Sequence, residues 1–248
     1  MKISIVTAVY NNCNTIASAL DSALAQTGVD LELIVIDGGS SDGTLAVLNG
    51  YADRIAVFVS EPDRNIYDAL NKGIRRASGE VVGFLHADDL FADETVLKRV
   101  AGVFADPQIE GVYGDLLYVH KENPEVVVRY WKAGEYSRAR LGWGWMPPHP
   151  TFYVRRSVYE RLGLFDTNYR IAADYDCMLR FLGKGGVRVG YIPEVLVKMR
   201  LGGTSNRTFM NILRKSQEDY RALKNNEVGG IGALVWKNLS KLPQFIFH

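Results

Sequence analysis

Leu31 to Thr44 reads LELIVIDGGSSDGT, and this stretch decides the fold. Leu31–Ile36 is a short apolar run, and such a run bounded by turn residues predicts a strand buried on both faces. Asp37-Gly38-Gly39 ends it. The Gly/Ser/Asp cluster that follows is loop and helix-start chemistry, which predicts a helix from about Thr44 to Tyr51. A buried strand that stops at a glycine turn and leads into a helix is the repeating unit of a parallel sheet.

The same unit recurs on either side. Upstream, Ile3–Val9 is a second β-branched run, bounded by Tyr10-Asn11-Asn12. It is followed by apolar residues at helical spacing from Thr15 to Gln26: Ile16, Leu20, Ala23 and Leu24. Downstream, Ile55–Val59 and Val81–Leu85 read as strands, with helices over Ile66–Ala77 and Glu94–Phe104. This order predicts an α/β fold, a Rossmann-type, mostly parallel sheet flanked by helices with right-handed crossovers. Ligands of such sheets bind beyond the carboxyl ends of the strands. Thr7, Tyr10, Asp37 and Asp88-Asp89 all fall at or near such ends.

The second half is less regular. Gly111–Val119 and Val126–Trp131 read as a hairpin, and Ser137–Pro150 as a long Gly/Trp/Pro loop of the kind that serves as a lid. Short helices are expected over Ser157–Leu162 and Ala173–Leu182, a late strand over Tyr191–Met199, and a basic helical segment from Thr208 onward.

Composition narrows the function classes. Lys plus Arg number 29 against 28 Asp plus Glu, which leaves no electrostatic footprint for nucleic acid as a partner. The two cysteines, Cys13 and Cys177, form no CxxC pair, so neither zinc nor a disulfide framework is expected, and a reducing, cytoplasmic setting is the default. The opening apolar run is too short for a signal peptide, and no stretch approaches the ~20 apolar residues that cross a bilayer.

Several residues could carry chemistry. Adjacent carboxylates at Asp88-Asp89 repel each other unless a cation offsets them; Mg²⁺ or Mn²⁺, which take oxygen ligands and often keep only one or two carboxylates beside phosphates, would do so. Asp37 either accepts a hydrogen bond from a nucleobase or closes a tight turn, and its residues leave both open. Asp68, Asn71 and Lys72 stand at i, i+3 and i+4, so an acid, an amide and a base share a helix face that is expected to bind. Asp174 and Asp176 point apart at a helix start, so one can face a pocket while the other caps or pairs with Arg180. A general base must lie within hydrogen-bond reach of its proton, and Asp174 ranks above His149 for that role.

These stretches together resemble the inverting family 2 glycosyltransferases of GT-A fold. ISIVTAVYN (3–11), ELIVIDGGSSDGT (32–44) and DALNKGIRRASGEVVGFLHADD (68–89) carry the likeness, which returns at HPTFYVRR (149–156) and AADYDCMLRF (172–181). SEPDRNIYDALNKGI (60–74) is similar to the bacterial branch that builds cell-surface polysaccharides. The resemblance implies a nucleotide-sugar donor, UDP-linked first and GDP-linked second, a glycan or lipid-linked acceptor, and a Mg²⁺ or Mn²⁺ cofactor. It implies that Thr7 and Tyr10 line the nucleotide pocket and that Asp37 binds the base. Asp88-Asp89 would match the end of a DxD-type motif, Asp174 the catalytic base, and His149 and Phe152 would flank the acceptor. Two departures stand out: His86 replaces the first DxD carboxylate, and MRLGGTS (199–205) has Arg200 but lacks the later His of many members.

The expected organisation is a GT-A-like catalytic domain over 1–205, with a nucleotide-sugar half to about 105 and an acceptor half from about 106, then a basic helical extension over 206–248. That tail, with seven Lys/Arg against three Asp/Glu from Arg207 onward and apolar Val235-Trp236 and Phe245-Ile246-Phe247, could rest on the inner face of an anionic membrane or pack on the domain. The rival readings are a nucleotidyltransferase, for which AVYNNCNT (8–15) lacks the Gly-rich phosphate loop, and a non-catalytic scaffold on a decayed transferase fold.

Overall fold

The computed structural model describes residues 1–202, 209–230 and 232–234, without the side chains of residues 209–212. The first strand, β1 (Lys2–Val9), leads through α1 (Ile16–Leu24) to β2 (Asp30–Asp37). Then come α2 (Thr44–Asn49), β3 (Val57–Ser60), α3 (Ile66–Arg76) and β4 (Val81–Phe84). The second half runs β5 (Leu90–Phe91), α4 (Val96–Val103), β6 (Gly111–Val119), β7 (Val127–Trp131) and α5 (Arg138–Leu141). It closes with β8 (Tyr153–Arg155), α6 (Arg156–Leu162), α7 (Ala173–Leu179), β9 (Val189–Arg200) and α8 (Phe209–Asn225).

All the strands join one sheet in the order β3-β2-β1-β4-β8-β6-β9-β5, with β7 added on β6. The β3-β2-β1-β4 half is parallel throughout, as the strand–helix alternation predicts. Beyond β4 the sheet is mixed. β8 is antiparallel to both β4 and β6, β5 is antiparallel to β9, and β6 and β9 run parallel. The short strands β5 and β8 are not foreseen from the sequence, because two or three residues carry no measurable periodicity.

Alternation along β1 distributes the core. Ile3, Ile5 and Val9 pack with Ile16, Leu20 and Ala23 of α1 on one face, whereas Val6 and Ala8 pack with Leu70 and Ile74 of α3 on the other. At about 1.5–3 kcal/mol for each large apolar side chain removed from water, these two layers are what hold the helices to the sheet. Helix α3 lies so close to β1 that a Cβ on Gly73 would stand 2.3 Å from Val6 Cγ1. The expected lid over Ser137–Pro150 is instead pinned down. It contains α5, Leu141 is fully buried, and the Trp145 indole donates to the Ala133 carbonyl at 2.9 Å. Buried aromatic anchors of this kind do not show in a composition that reads as loop.

Candidate active site

Strand β1 lies where the strand order reverses, between β2 and β4, so the crevice expected of an open α/β sheet opens beside its carboxyl end. On that side stand the ends of β1, β2, β3 and β4 and the segments that follow them.

Asp37 ends β2 and is fully buried. Its Oδ2 accepts from the Gly39 and Ser40 amides, both at 3.0 Å, and from Ser60 Oγ at 2.7 Å, while Oδ1 accepts from Ser40 Oγ at 2.5 Å. Three of these donors saturate Oδ2, while Oδ1 takes one. Of the two readings left open above, the turn is the one this geometry favours: Asp37 ties β2 to its glycine turn and to the end of β3. The turn needs Gly39, whose φ of +82° lies in the left-handed region.

The surface beside that turn is built by other residues. Tyr10 is 65% exposed. A Cβ on Gly38 would lie 3.4 Å from the Tyr10 ring and 3.1 Å from Asp63 Oδ2, so glycine leaves both side chains room. Asp63 pairs with Lys72 at 2.6 Å, and burial still pushes its carboxyl upward. In β1, the hydroxyl of Thr7 is buried and has no hydrogen-bond partner among the described residues.

The acid, amide and base of α3 do not act as one face. Asp68 shapes the helix start: its amide donates to Asn65 Oδ1 at 3.0 Å, and its carboxylate accepts from the Arg64 amide at 3.2 Å. Asn71 is buried, and its side-chain amide clasps Phe165, donating to the carbonyl at 2.9 Å and accepting from the amide N–H at 3.0 Å. Lys72 is held by Asp63 and by Glu61 at 2.9 Å.

Deeper in the crevice, after β4, four chemically active groups converge. The His86 and His149 rings lie 5.8 Å apart, and His149 stacks on Phe84 at 5.2 Å. Burial lowers both imidazoles, His149 to about 4, so both are neutral near pH 7. The Asp88 and Asp174 carboxylates oppose that lowering at His86, and Asp174 opposes it at His149. Asp88, Asp174 and both histidines therefore share one electrostatic neighbourhood. His86 Nδ1 and His149 Nε2 are buried and unpartnered among the described residues. Sequence reasoning noted His86 only as a departure; its place at the end of β4 was the available signal.

Asp174, half-buried at the start of α7, accepts from its neighbouring Tyr175 amide at 2.8 Å and from the Tyr67 hydroxyl at 3.4 Å. Asp176 is turned away, bonded to Asn226 at 2.9 Å and 3.8 Å from Arg180. Phe152 is a core residue, 4% exposed, with its ring against Gly111. Tyr67 was not singled out from the sequence, because a tyrosine on an apolar helix face reads as core.

The Asp88-Asp89 pair is split. Asp88 is half-buried, and among the described residues no group donates to its carboxylate. Asp89 is 1% exposed and lies beside Arg200, with burial pushing its carboxyl well above the usual range and Oδ1 unpartnered. Arg200 donates to the Asp88 carbonyl at 2.9 Å and to Ser18 Oγ at 3.2 Å, which fixes the turn that carries Asp88. Among the described residues no cluster of three His, Cys, Asp or Glu side chains could hold a metal ion by itself. The unengaged Asp88 carboxylate nevertheless fits a hard cation of the Mg²⁺ or Mn²⁺ type, which binds through one or two carboxylates when phosphate oxygens complete its shell.

Residues 4–163 match the family model described as Glycosyl transferase family 2. A PGL/p-HBAD biosynthesis glycosyltransferase of Mycobacterium bovis is 29% identical over 208 residues, covering 82% of this chain and 78% of that protein. Among solved structures, S. aureus TarS superposes with a TM-score of 0.70 at 19% identity, over 92% of this chain but only 39% of TarS. A fragment of TarS is also solved with UDP-GlcNAc. The mannosyltransferase PcManGT of Pyrobaculum calidifontis, solved with GDP-Man and Mn²⁺, gives a TM-score of 0.68 at 22% identity, over 98% of this chain and 70% of that one. The fold is the GT-A fold that these glycosyltransferases share.

Proposed function

This chain belongs to glycosyl transferase family 2 and is a glycosyltransferase, and from that premise we propose that it transfers a sugar from a nucleotide-sugar, UDP-linked in the first instance, to a hydroxyl of a glycan or lipid-linked acceptor in cell-surface polysaccharide synthesis, with inversion at the anomeric carbon. The observation that carries this reading is the convergence of Asp88, His86, His149 and Asp174 beyond the carboxyl end of β4.

The exposed Tyr10 ring offers a face to the base, and Thr7 carries an unsatisfied hydroxyl buried in β1. Asp88 is the residue that would hold the cation; Asp89 is buried beneath it and shapes the turn. When bound, the cation neutralises charge that develops on the diphosphate leaving group. Asp174 takes the proton of the acceptor hydroxyl. The acceptor oxygen forms its bond to the anomeric carbon as the bond from that carbon to the diphosphate oxygen breaks, and the nucleoside diphosphate leaves with the electron pair. His149, neutral and with Nε2 unpartnered among the described residues, would hydrogen-bond a sugar hydroxyl. The M. bovis relative is named for PGL/p-HBAD biosynthesis. No helix among the described residues is long and apolar enough to cross a membrane. Val235-Trp236 and Phe245–Phe247, on which a contact with the inner membrane face would depend, lie outside the described residues.

Asp174→Asn tests the base. The amide keeps the shape and cannot take the proton, so transfer falls by at least about 100-fold, the low end of general-base contributions, while nucleotide affinity stays near wild type. Transfer at the wild-type rate would remove Asp174 from the mechanism.

A further inference from the structure

Helix α7 carries Asp174, whose carboxylate accepts from the Tyr175 amide of its own first turn. Ala172 holds the capping position and has no side-chain oxygen to satisfy the free amides of the first turn. The turn that leads into the helix is held from elsewhere in the chain. Glu218, in the middle of α8, accepts from three consecutive amides: Arg170 at 3.1 Å to Oε1, and Ile171 at 2.8 Å and Ala172 at 3.0 Å to Oε2. The carbonyl of Ile171 in turn accepts from the Tyr67 hydroxyl at 2.5 Å, and that same hydroxyl reaches Asp174 Oδ1 at 3.4 Å.

The C-terminal part of α8 reinforces the contact. Arg221 lies 4.5 Å over the Tyr169 ring, Asn225 bonds the Tyr169 hydroxyl at 3.2 Å, and Asn226, just past the helix, bonds Asp176 at 2.9 Å. The 166–172 turn is therefore gripped from α8 on one side and touched by Tyr67 of α3 on the other.

We infer that Glu218 is a positioning residue for glycosyl transfer: by holding the amides of residues 170–172 it sets where the Asp174 carboxylate stands relative to Tyr67 and the acceptor hydroxyl. This makes α8 a working part of the active site. The inference rests on Asp174 being the base. A carboxylate that accepts three N–H bonds is a strong, directional anchor. Its removal frees the turn without touching the nucleotide side of the crevice. Displacement of a reacting group by about 1 Å can cost on the order of 100-fold in rate.

The test compares Glu218→Ala, Glu218→Gln and Asp174→Asn with wild type, each measured for melting temperature, nucleoside diphosphate affinity, donor KM and kcat. The expected result for Glu218→Ala is a kcat lowered about 10- to 100-fold with nucleotide affinity and donor KM within threefold of wild type. Glu218→Gln, which keeps one acceptor oxygen, should fall between Glu218→Ala and wild type; it also serves if the alanine variant fails to fold. A folded Glu218 variant with wild-type kcat overturns the inference, as does a parallel loss of melting temperature, nucleotide affinity and kcat in both variants. Asp174→Asn separates the two claims. If it transfers at the wild-type rate, the base reading has failed; if it is inactive while the Glu218 variants turn over normally, only the positioning role has failed.

Discussion

Single side chains in this crevice divide into those that are engaged and those that are free, and the division assigns their work. Asp37 looks like a ligand-binding carboxylate in sequence, but it is fully buried and engaged by two backbone amides and two serine hydroxyls. Asp37→Asn replaces an acceptor oxygen by a donor facing other donors, so it should cost about 1–3 kcal/mol of stability, the penalty for an unsatisfied buried polar group. Chemical denaturation checks the cost and nucleotide titration checks the alternative. An Asn variant of unchanged stability that no longer binds nucleotide would return Asp37 to the base pocket. Asp88, by contrast, has an uncommitted carboxylate, and its turn is fixed by Arg200 through the Asp88 carbonyl. Sequence could place Asp88 and Asp174, because strand ends and helix starts are legible from pattern. It could not tell an engaged carboxylate from an idle one, since Asp37's partners come from residues 39, 40 and 60, brought together only by the turn and by β3.

Elements show the same limit one level up. Helix α3 was legible in extent, and its burial of Tyr67, Leu70 and Ile74 follows from its 3.6-residue period. What its polar residues do was not legible, because Asn71 answers to Phe165, 94 positions away. Removing that clasp by Asn71→Ala leaves a buried N–H and a buried C=O unpaired. The expected loss is roughly 2–4 kcal/mol, from about 1–3 kcal/mol per orphaned group with partial relaxation, and nucleotide affinity should stay within threefold. Urea denaturation and nucleotide titration of the folded variant decide it. Full stability with lost nucleotide binding would make Asn71 a donor contact instead. Helix α8 is the converse case: a basic segment read as an extension holds the turn that leads into α7.

Across the whole molecule, the parallel half was read with its order, whereas in the mixed half the β6–β7 hairpin, α6, α7 and β9 were read and β5, β8 and the strand order were not. The β3-β2-β1-β4 strands are short apolar runs between glycine turns, so local pattern and tertiary order agree. Beyond β4 the sheet is closed by two- and three-residue strands and by a loop held through Leu141 and Trp145, and long-range packing decides these without a local signature. The crevice lies on the boundary between the two halves. The parallel half presents Tyr10, Thr7, His86 and Asp88, and the mixed half brings His149 and Asp174 to them. Under the proposed function, donor chemistry would fall to the regular half and acceptor chemistry to the mixed one.

The central claim is metal-assisted transfer from a nucleotide-sugar. The most direct measurement is turnover of purified protein against UDP-, GDP- and TDP-sugars, read as nucleoside diphosphate released, with Mn²⁺ or Mg²⁺ and again with chelator. The account predicts release from one nucleotide class, UDP first, that depends on the cation and falls sharply in Asp88→Asn. Absence of release and of any thermal shift with every nucleotide, with or without metal, would contradict it.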